Sequence, residues 1–127
     1  MPDKKKILLV EDEADLQKLY AYLLESPEYD TKVVGDGQAA LEEMRVGGYD
    51  LVLLDVMLPE IDGIQILNTI TEDKNYRQQI SRIVVLTNLS QEALVIQAVD
   101  MGVRGYMVKS DYNPDQFREA VIAFLDK

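Results

Sequence analysis

Cysteine and histidine are both absent from this chain of 127 residues. Without cysteine there is no disulfide framework and no thiolate metal site, which points to a cytoplasmic protein. Without histidine there is no imidazole base, no imidazole metal ligand and no phosphohistidine made on this chain. Any chemistry must rest on carboxylates, hydroxyls, lysine and the backbone. Long apolar runs are missing too. None approaches membrane-spanning length, and residues 1–3 lead through Lys4, Lys5 and Lys6 into a strand pattern without the apolar stretch of a signal peptide, so no membrane contact is expected. Positive charge is scarce: 13 basic residues face 23 acidic ones, a formal charge of −10. A duplex backbone would repel such a chain, so direct nucleic-acid binding is not expected, and Lys4, Lys5 and Lys6 read as a solvated tail.

What is present is a core. Hydrophobic residues make up 47% of the chain, enough for one domain with one sizeable core and too many for disorder. The central feature is Leu51, Val52, Leu53 and Leu54 leading into Asp55, with Pro59 and Gly63 shaping the loop beyond. A short apolar run ended by turn residues is the mark of a strand buried on both faces of a parallel sheet. Gly63 is expected to use its freedom at positive φ near a helix start.

Similar strand patterns occupy 6–10, 29–34, 50–55, 82–87 and 105–109, and helical patterns fall between them. The first helix carries Leu16, Leu19, Tyr20, Leu23 and Leu24 as an apolar face and ends at Ser26 and Pro27. The second opens at Asp36 and Gly37, carries Ala40, Leu41 and Met44, and closes at Gly47 and Gly48. The third follows Gly63 with Ile64, Leu67 and Ile70. Residues 73–81 read as helix end plus loop. Ser90 is the expected cap of the fourth helix, which ends at Gly102. Asn113, Pro114 and Gln116 open the last helix as cap, first-turn proline and capping-box partner, and Phe117, Ala120, Val121, Phe124 and Leu125 form its inner face. Alternating strands and helices with short connections require an α/β doubly wound, five-stranded parallel sheet with helices on both faces.

In such a sheet the carboxyl ends of all strands share one edge, where ligands bind. That edge gathers Glu11 and Asp12 after the first strand, Asp55 after the third, Thr87 after the fourth and Lys109 after the fifth. Singly, each has an ordinary explanation: a helix-start acid, a strand-end hydroxyl, a surface lysine. Together they place three carboxylates, a hydroxyl and an ammonium on one rim. Hard oxygen anions of this kind suit Mg²⁺, and a carboxylate between a divalent cation and a lysine can attack a phosphoryl group.

The chain resembles the receiver domain of two-component response regulators, such as the chemotaxis regulators. The resemblance rests on Leu8-Leu9-Val10-Glu11-Asp12, on Leu54-Asp55-Val56-Met57-Leu58-Pro59 with Asp62-Gly63, on Thr87, and on Gly105-Tyr106-Met107-Val108-Lys109. It covers essentially the whole chain, read as a single receiver domain over 1–127, free-standing or part of a larger protein. The resemblance implies the flavodoxin-like strand order 2-1-3-4-5. It implies Asp55 as phosphoacceptor for a histidine kinase or phosphotransfer protein, in a signalling module that is not a conventional enzyme. Asp12, Asp55 and the Met57 carbonyl would ligate Mg²⁺, with Glu11 acting through water. Lys109 would pair with the phosphoryl group, Thr87 would move to it and Tyr106 would swing inward. The face of helix 4, strand 5 and helix 5 would engage a downstream protein target or a second copy, with Leu94 and Ile122 the first candidates for contact. Met57 and Leu89 would flank the path of hydrolytic water and crowd it.

One residue departs from the family pattern: Ser110 follows Lys109 where proline with a cis bond is usual, which leaves a strained cis bond and a trans bond as alternatives. Two rival readings compete with the phosphoacceptor. One is a receiver-like interaction module without phosphorylation, against which the intact acid, hydroxyl and lysine set argues. The other is a flavodoxin-like cofactor binder, in which Glu11, Asp12 and Glu13 would repel phosphate where a phosphate-cradling loop is needed.

Overall fold

The computed structural model describes residues 4–88 and 90–126. Five strands, β1 (Lys5–Val10), β2 (Tyr29–Val34), β3 (Leu51–Asp55), β4 (Ile83–Thr87) and β5 (Gly105–Val108), alternate with five helices, α1 (Ala14–Leu23), α2 (Gly37–Val46), α3 (Gly63–Glu72), α4 (Glu92–Met101) and α5 (Pro114–Leu125). All strand pairs are parallel, in the order β2-β1-β3-β4-β5. This is the doubly wound, flavodoxin-like sheet that the sequence pattern and the resemblance imply.

Alternation along each strand sorts the core into two layers. Leu8, Val10, Val52, Leu54, Ile83 and Val85 pack with the buried faces of α2, α3 and α4. Ile7, Leu9, Leu51, Leu53, Val84, Leu86 and Met107 pack with α1 and α5. β3 is buried at every position, as its unbroken apolar run requires. On the α1/α5 side Tyr20 stacks on Phe117 with ring centroids 4.3 Å apart.

Several local expectations differ from the structure. Lys5 and Lys6 open β1 with exposed side chains instead of forming a tail, and the Lys6 N–H donates to Asp50 Oδ2. In α1, Tyr20 and Leu23 are buried, Leu16 only partly, and Leu19 faces solvent; Leu24 is buried just past the helix end. In α3, Ile66 takes the fully buried place and Ile64 is half-buried. Gly63 does not use positive φ; in its loop that conformation belongs to Glu60, at φ 67°. Glycine is required at 63 because a Cβ there would lie 2.9 Å from Val56 Cα and 3.0 Å from the Asp55 carbonyl oxygen. The helix start is thereby pressed against the end of β3, where the Gly63 N–H donates to the Val56 carbonyl.

Both expected features of α5 are present: Asn113 caps it reciprocally with Gln116, and Pro114 is its first residue. The segment between α3 and β4 is an organised clasp. Gln78, 5% exposed, accepts from the Tyr49 N–H and donates to the Tyr49 carbonyl, both at 3.1 Å. It ties residues 73–82 to the amino edge of the sheet, opposite the polar rim.

Candidate functional site

The alternation that sorts the core also aims the rim residues. Counting in twos along β1 from Ile7 and Leu9 reaches Glu11; along β3 from Leu51 and Leu53 it reaches Asp55; along β5 from Met107 it reaches Lys109. All three continue the parity that faces α1 and α5, and the structure brings their side chains together. Lys109 Nζ donates to Glu11 Oε1 at 2.7 Å and to Asp55 Oδ2 at 2.8 Å. Glu11 is fully buried and Asp55 is 4% exposed. The other Asp55 oxygen, Oδ1, accepts from the Met57 N–H at 3.0 Å, and Glu11 Oε2 accepts from the Glu13 N–H at 3.1 Å. Asp12, the next residue along, is exposed at the mouth. One carboxylate oxygen from each of Glu11, Asp12 and Asp55 lies within 4.8 Å of the others. Three hard anionic oxygens at that spacing can hold a divalent cation.

Electrostatics at the site follow from burial. Loss of solvent pushes the Asp55 carboxyl up to about 6, although the Lys109 hydrogen bond pulls the other way. For Lys109, burial alone would lower the ammonium, but the hydrogen bonds to Asp55 and Glu11 outweigh it and the group is held above its ordinary value. The site therefore contains a charged lysine held between two carboxylates, one of them reluctant to ionise.

Thr87 does not join this cluster. Its parity is that of Ile83 and Val85, toward α4, and its hydroxyl lies 3.0 Å from both the Asn88 carbonyl and Gln91 Oε1. Tyr106 is 49% exposed and lines an open groove of about 450 Å³ with Thr87, Val95, Ile96 and Val99. The Lys109–Ser110 bond is trans, as are all the described peptide bonds, and Lys109 opens a short 3-10 turn, Lys109–Asp111. The serine therefore does not impose the cis alternative, and the ammonium still reaches both carboxylates. Met57 is half-exposed beside the site; Leu89 lies outside the described residues.

Reasoning from sequence missed Gln91. Its side-chain oxygen accepts from the Thr87 hydroxyl and from the Asn88 N–H. It also takes the cap position expected of Ser90, without a side-chain cap bond. The available signal was its place, four residues after Thr87 and immediately before the α4 pattern. Leu94 is likewise corrected. It packs partly buried against the core with Ala98 and Met101, one helical stripe, whereas Ile96 at 62% and Val99 at 47% exposure face outward. Ile122 is half-buried.

The sequence profile of the response regulator receiver domain matches residues 7–122. Among curated proteins, the chain is 36% identical over 123 residues to the alkaline phosphatase synthesis transcriptional regulatory protein PhoP of Bacillus subtilis, covering 95% of this chain and 48% of that protein. It is 34% identical over 106 residues to the DNA-binding response regulator MtrA of Mycobacterium tuberculosis, covering 84% of this chain and 44% of that protein. The chain thus spans about half the length of the curated relatives it matches. The receiver domain of the sensor histidine kinase PA1611 of Pseudomonas aeruginosa PAO1, solved with a magnesium ion coordinated in its active site cleft, superposes with a TM-score of 0.79 at 25% identity, covering 98% of this chain and 99% of that one. The bacteriophytochrome response regulator AtBRR gives a TM-score of 0.74 at 30% identity, covering 98% of this chain and 94% of that one.

Proposed function

Because this chain belongs to the response regulator receiver domain family, we propose that Asp55 accepts a phosphoryl group from the phosphohistidine of a partner kinase or phosphotransfer protein. The observation that carries the proposal is the Lys109 ammonium held 2.8 Å from Asp55 Oδ2, with Glu11 and Asp12 beside it. Attack by an Asp55 oxygen forms the new O–P bond as the P–N bond to the donor histidine breaks, and the bonding pair returns to the imidazole nitrogen. Glu11, Asp12, Asp55 and the Met57 carbonyl would hold Mg²⁺. Their hard-oxygen donor set fits that ion, and the related kinase receiver binds it in its own cleft. When bound, the ion supplies positive charge to the phosphoryl oxygens. Lys109 orients the acceptor carboxylate and offers its ammonium to one phosphoryl oxygen.

The signal leaves by the other face. Thr87 exchanges its contacts at Gln91 for the phosphoryl group, and Tyr106 moves into the space behind it. Ile96, Val99 and Tyr106 supply the exposed apolar surface that a downstream protein or a second copy covers. Residues 1–127 act as one receiver domain in the cytoplasm. At −10 the module itself does not engage DNA. Among the described residues no helix is long and apolar enough to cross a membrane.

The test is intact-mass analysis after incubation with Mg²⁺ and acetyl phosphate. One added phosphoryl group is expected on the parent chain and none on Asp55→Asn. Undiminished single phosphorylation of Asp55→Asn would reject the assignment.

A further inference from the structure

Glu11 is fixed by its own side chain, but Asp12 has no such support. Its carboxylate is exposed and accepts no hydrogen bond from any described residue. The backbone that carries it therefore sets the Cα–Cβ direction from which the carboxylate reaches Glu11 and Asp55. That backbone is anchored on one side where the Glu11 N–H donates to the Val34 carbonyl at 3.1 Å. On the other side, Gln17 Nε2 reaches back from the first turns of α1 and donates to the Glu11 carbonyl at 2.5 Å. The Glu11 carbonyl belongs to the same planar peptide unit as the Asp12 nitrogen, so the Gln17 bond fixes the rotation of that unit. The Gln17 N–H, donating to Glu13 at 2.9 Å, holds the far end of the same loop.

A second observation shows that room has been made for this amide. A Cβ at Gly35 would lie 3.1 Å from Gln17 Nε2 and 3.9 Å from the Glu11 oxygen. The residue following β2 is thus bare where the glutamine passes.

We infer that Gln17 is a positioning residue for the metal site, holding the Glu11–Asp12 peptide so that the Asp12 carboxylate points at Glu11 and Asp55. This rests on the reading of those three carboxylates as the Mg²⁺ holders. Gln17 touches neither metal nor phosphoryl group; it acts through the backbone of a ligand. Residues that orient metal ligands in this way typically change affinity by about 10–100-fold when lost.

The test uses the full chain with Gln17→Met, which keeps length and removes the donor, and Gln17→Leu as a second variant. Mg²⁺ would be titrated against backbone amide NMR shifts, with Asp12→Asn as control and melting temperature measured in EDTA. Both Gln17 variants should bind Mg²⁺ about tenfold more weakly while melting in EDTA with the parent. Their rate of phosphorylation by acetyl phosphate should return to the parent value at saturating Mg²⁺. Parent affinity in both variants, with weakened binding in Asp12→Asn, would overturn the role of Gln17 and leave the metal site standing. Parent affinity in Asp12→Asn would overturn the metal-site reading and this inference with it. Weakened binding that tracks an equal fall in EDTA melting temperature would reduce Gln17 to a structural part and also overturn the inference.

Discussion

Lys109 serves as an internal cation for the carboxylate cluster, and removing it should reveal how far Mg²⁺ can replace it. In Lys109→Met the stem is kept and the charge is lost, leaving Glu11 and Asp55 buried with Asp12 beside them. At an effective dielectric of about 20, contacts at 2.7 and 2.8 Å each attract by roughly 6 kcal/mol. Most of that is offset by the cost of holding three ions out of water, and stranding the carboxylates should destabilise the fold by about 3 kcal/mol in EDTA at pH 8. For a chain of this size that is a fall of roughly 12 °C in melting temperature. The sign of the pH dependence follows from Asp55. Its folded value, about 6, lies above the ordinary 3.8, so its ionisation costs stability as pH rises from about 4 to 6. Without Lys109 the carboxyl is pushed higher still, so at pH 5 it protonates and the deficit of the variant narrows. Saturating Mg²⁺ should narrow it too, to within about 1 kcal/mol. By linkage this requires Mg²⁺ to bind the variant about thirtyfold more tightly, since roughly 2 kcal/mol of the deficit is recovered. Thermal melts in EDTA and in Mg²⁺, paired with a binding titration, measure both quantities. A deficit unchanged by Mg²⁺, or no deficit in EDTA, would refute the reasoning.

Other consequences can be checked as directly. A metal ligand must be deprotonated, so with Asp55 raised to about 6 the apparent Mg²⁺ affinity should be weaker at pH 5 than at pH 8 by on the order of tenfold, as a titration series in pH would show. Met57 and Leu89, which the resemblance sets along the path of the hydrolytic water, carry no group that could accept a proton from it. The phosphorylated parent should therefore lose phosphate more slowly than Met57→Asn, Leu89→Glu at fixed Mg²⁺, and decay in the parent as fast as in the variant would reject the crowding argument. Gln78→Leu removes both bonds to the Tyr49 backbone and should lower stability by about 3 kcal/mol in a urea melt. Its phosphorylation stoichiometry should be unchanged, because the clasp lies at the opposite edge of the sheet.

The strands were legible because burial on both faces leaves an unbroken apolar run, as in Leu51, Val52, Leu53 and Leu54. Glu11, Asp55 and Lys109 were legible because each follows such a run, so one topology brings them to one rim. What could not be read were polar side chains whose partners are set by how the chain turns: Gln78 bonds Tyr49, 29 residues away, while Gln17 and Gln91 reach back six and four residues across a strand-to-helix turn. Gln17, Gln78 and Gln91 have no periodic signature, and each finds its partner only after the chain has folded. Ser90 was a reasonable cap by type, but the helix begins where Gln91 already engages Thr87. Leu94 and Ile96 differ by two positions on a helix rich in apolar residues, and only packing against α3 and the sheet decides which faces inward. At Gly63 the composition was informative and the mechanism was not: close approach to β3 requires glycine there, not φ.

The opposed parities of Asp55 and Thr87 have a consequence for how this sequence can change over generations. An indel of one residue inside β4 would turn Thr87 toward α1 and carry the hydrophobic set of that strand to the wrong layers. Connections such as residues 73–82 lie outside that constraint and can lengthen without reversing any side chain. Substitutions should accumulate outside the rim residues Glu11, Asp12, Asp55, Thr87 and Lys109, but length variation should be confined to the connections, with Ile83–Thr87 admitting none.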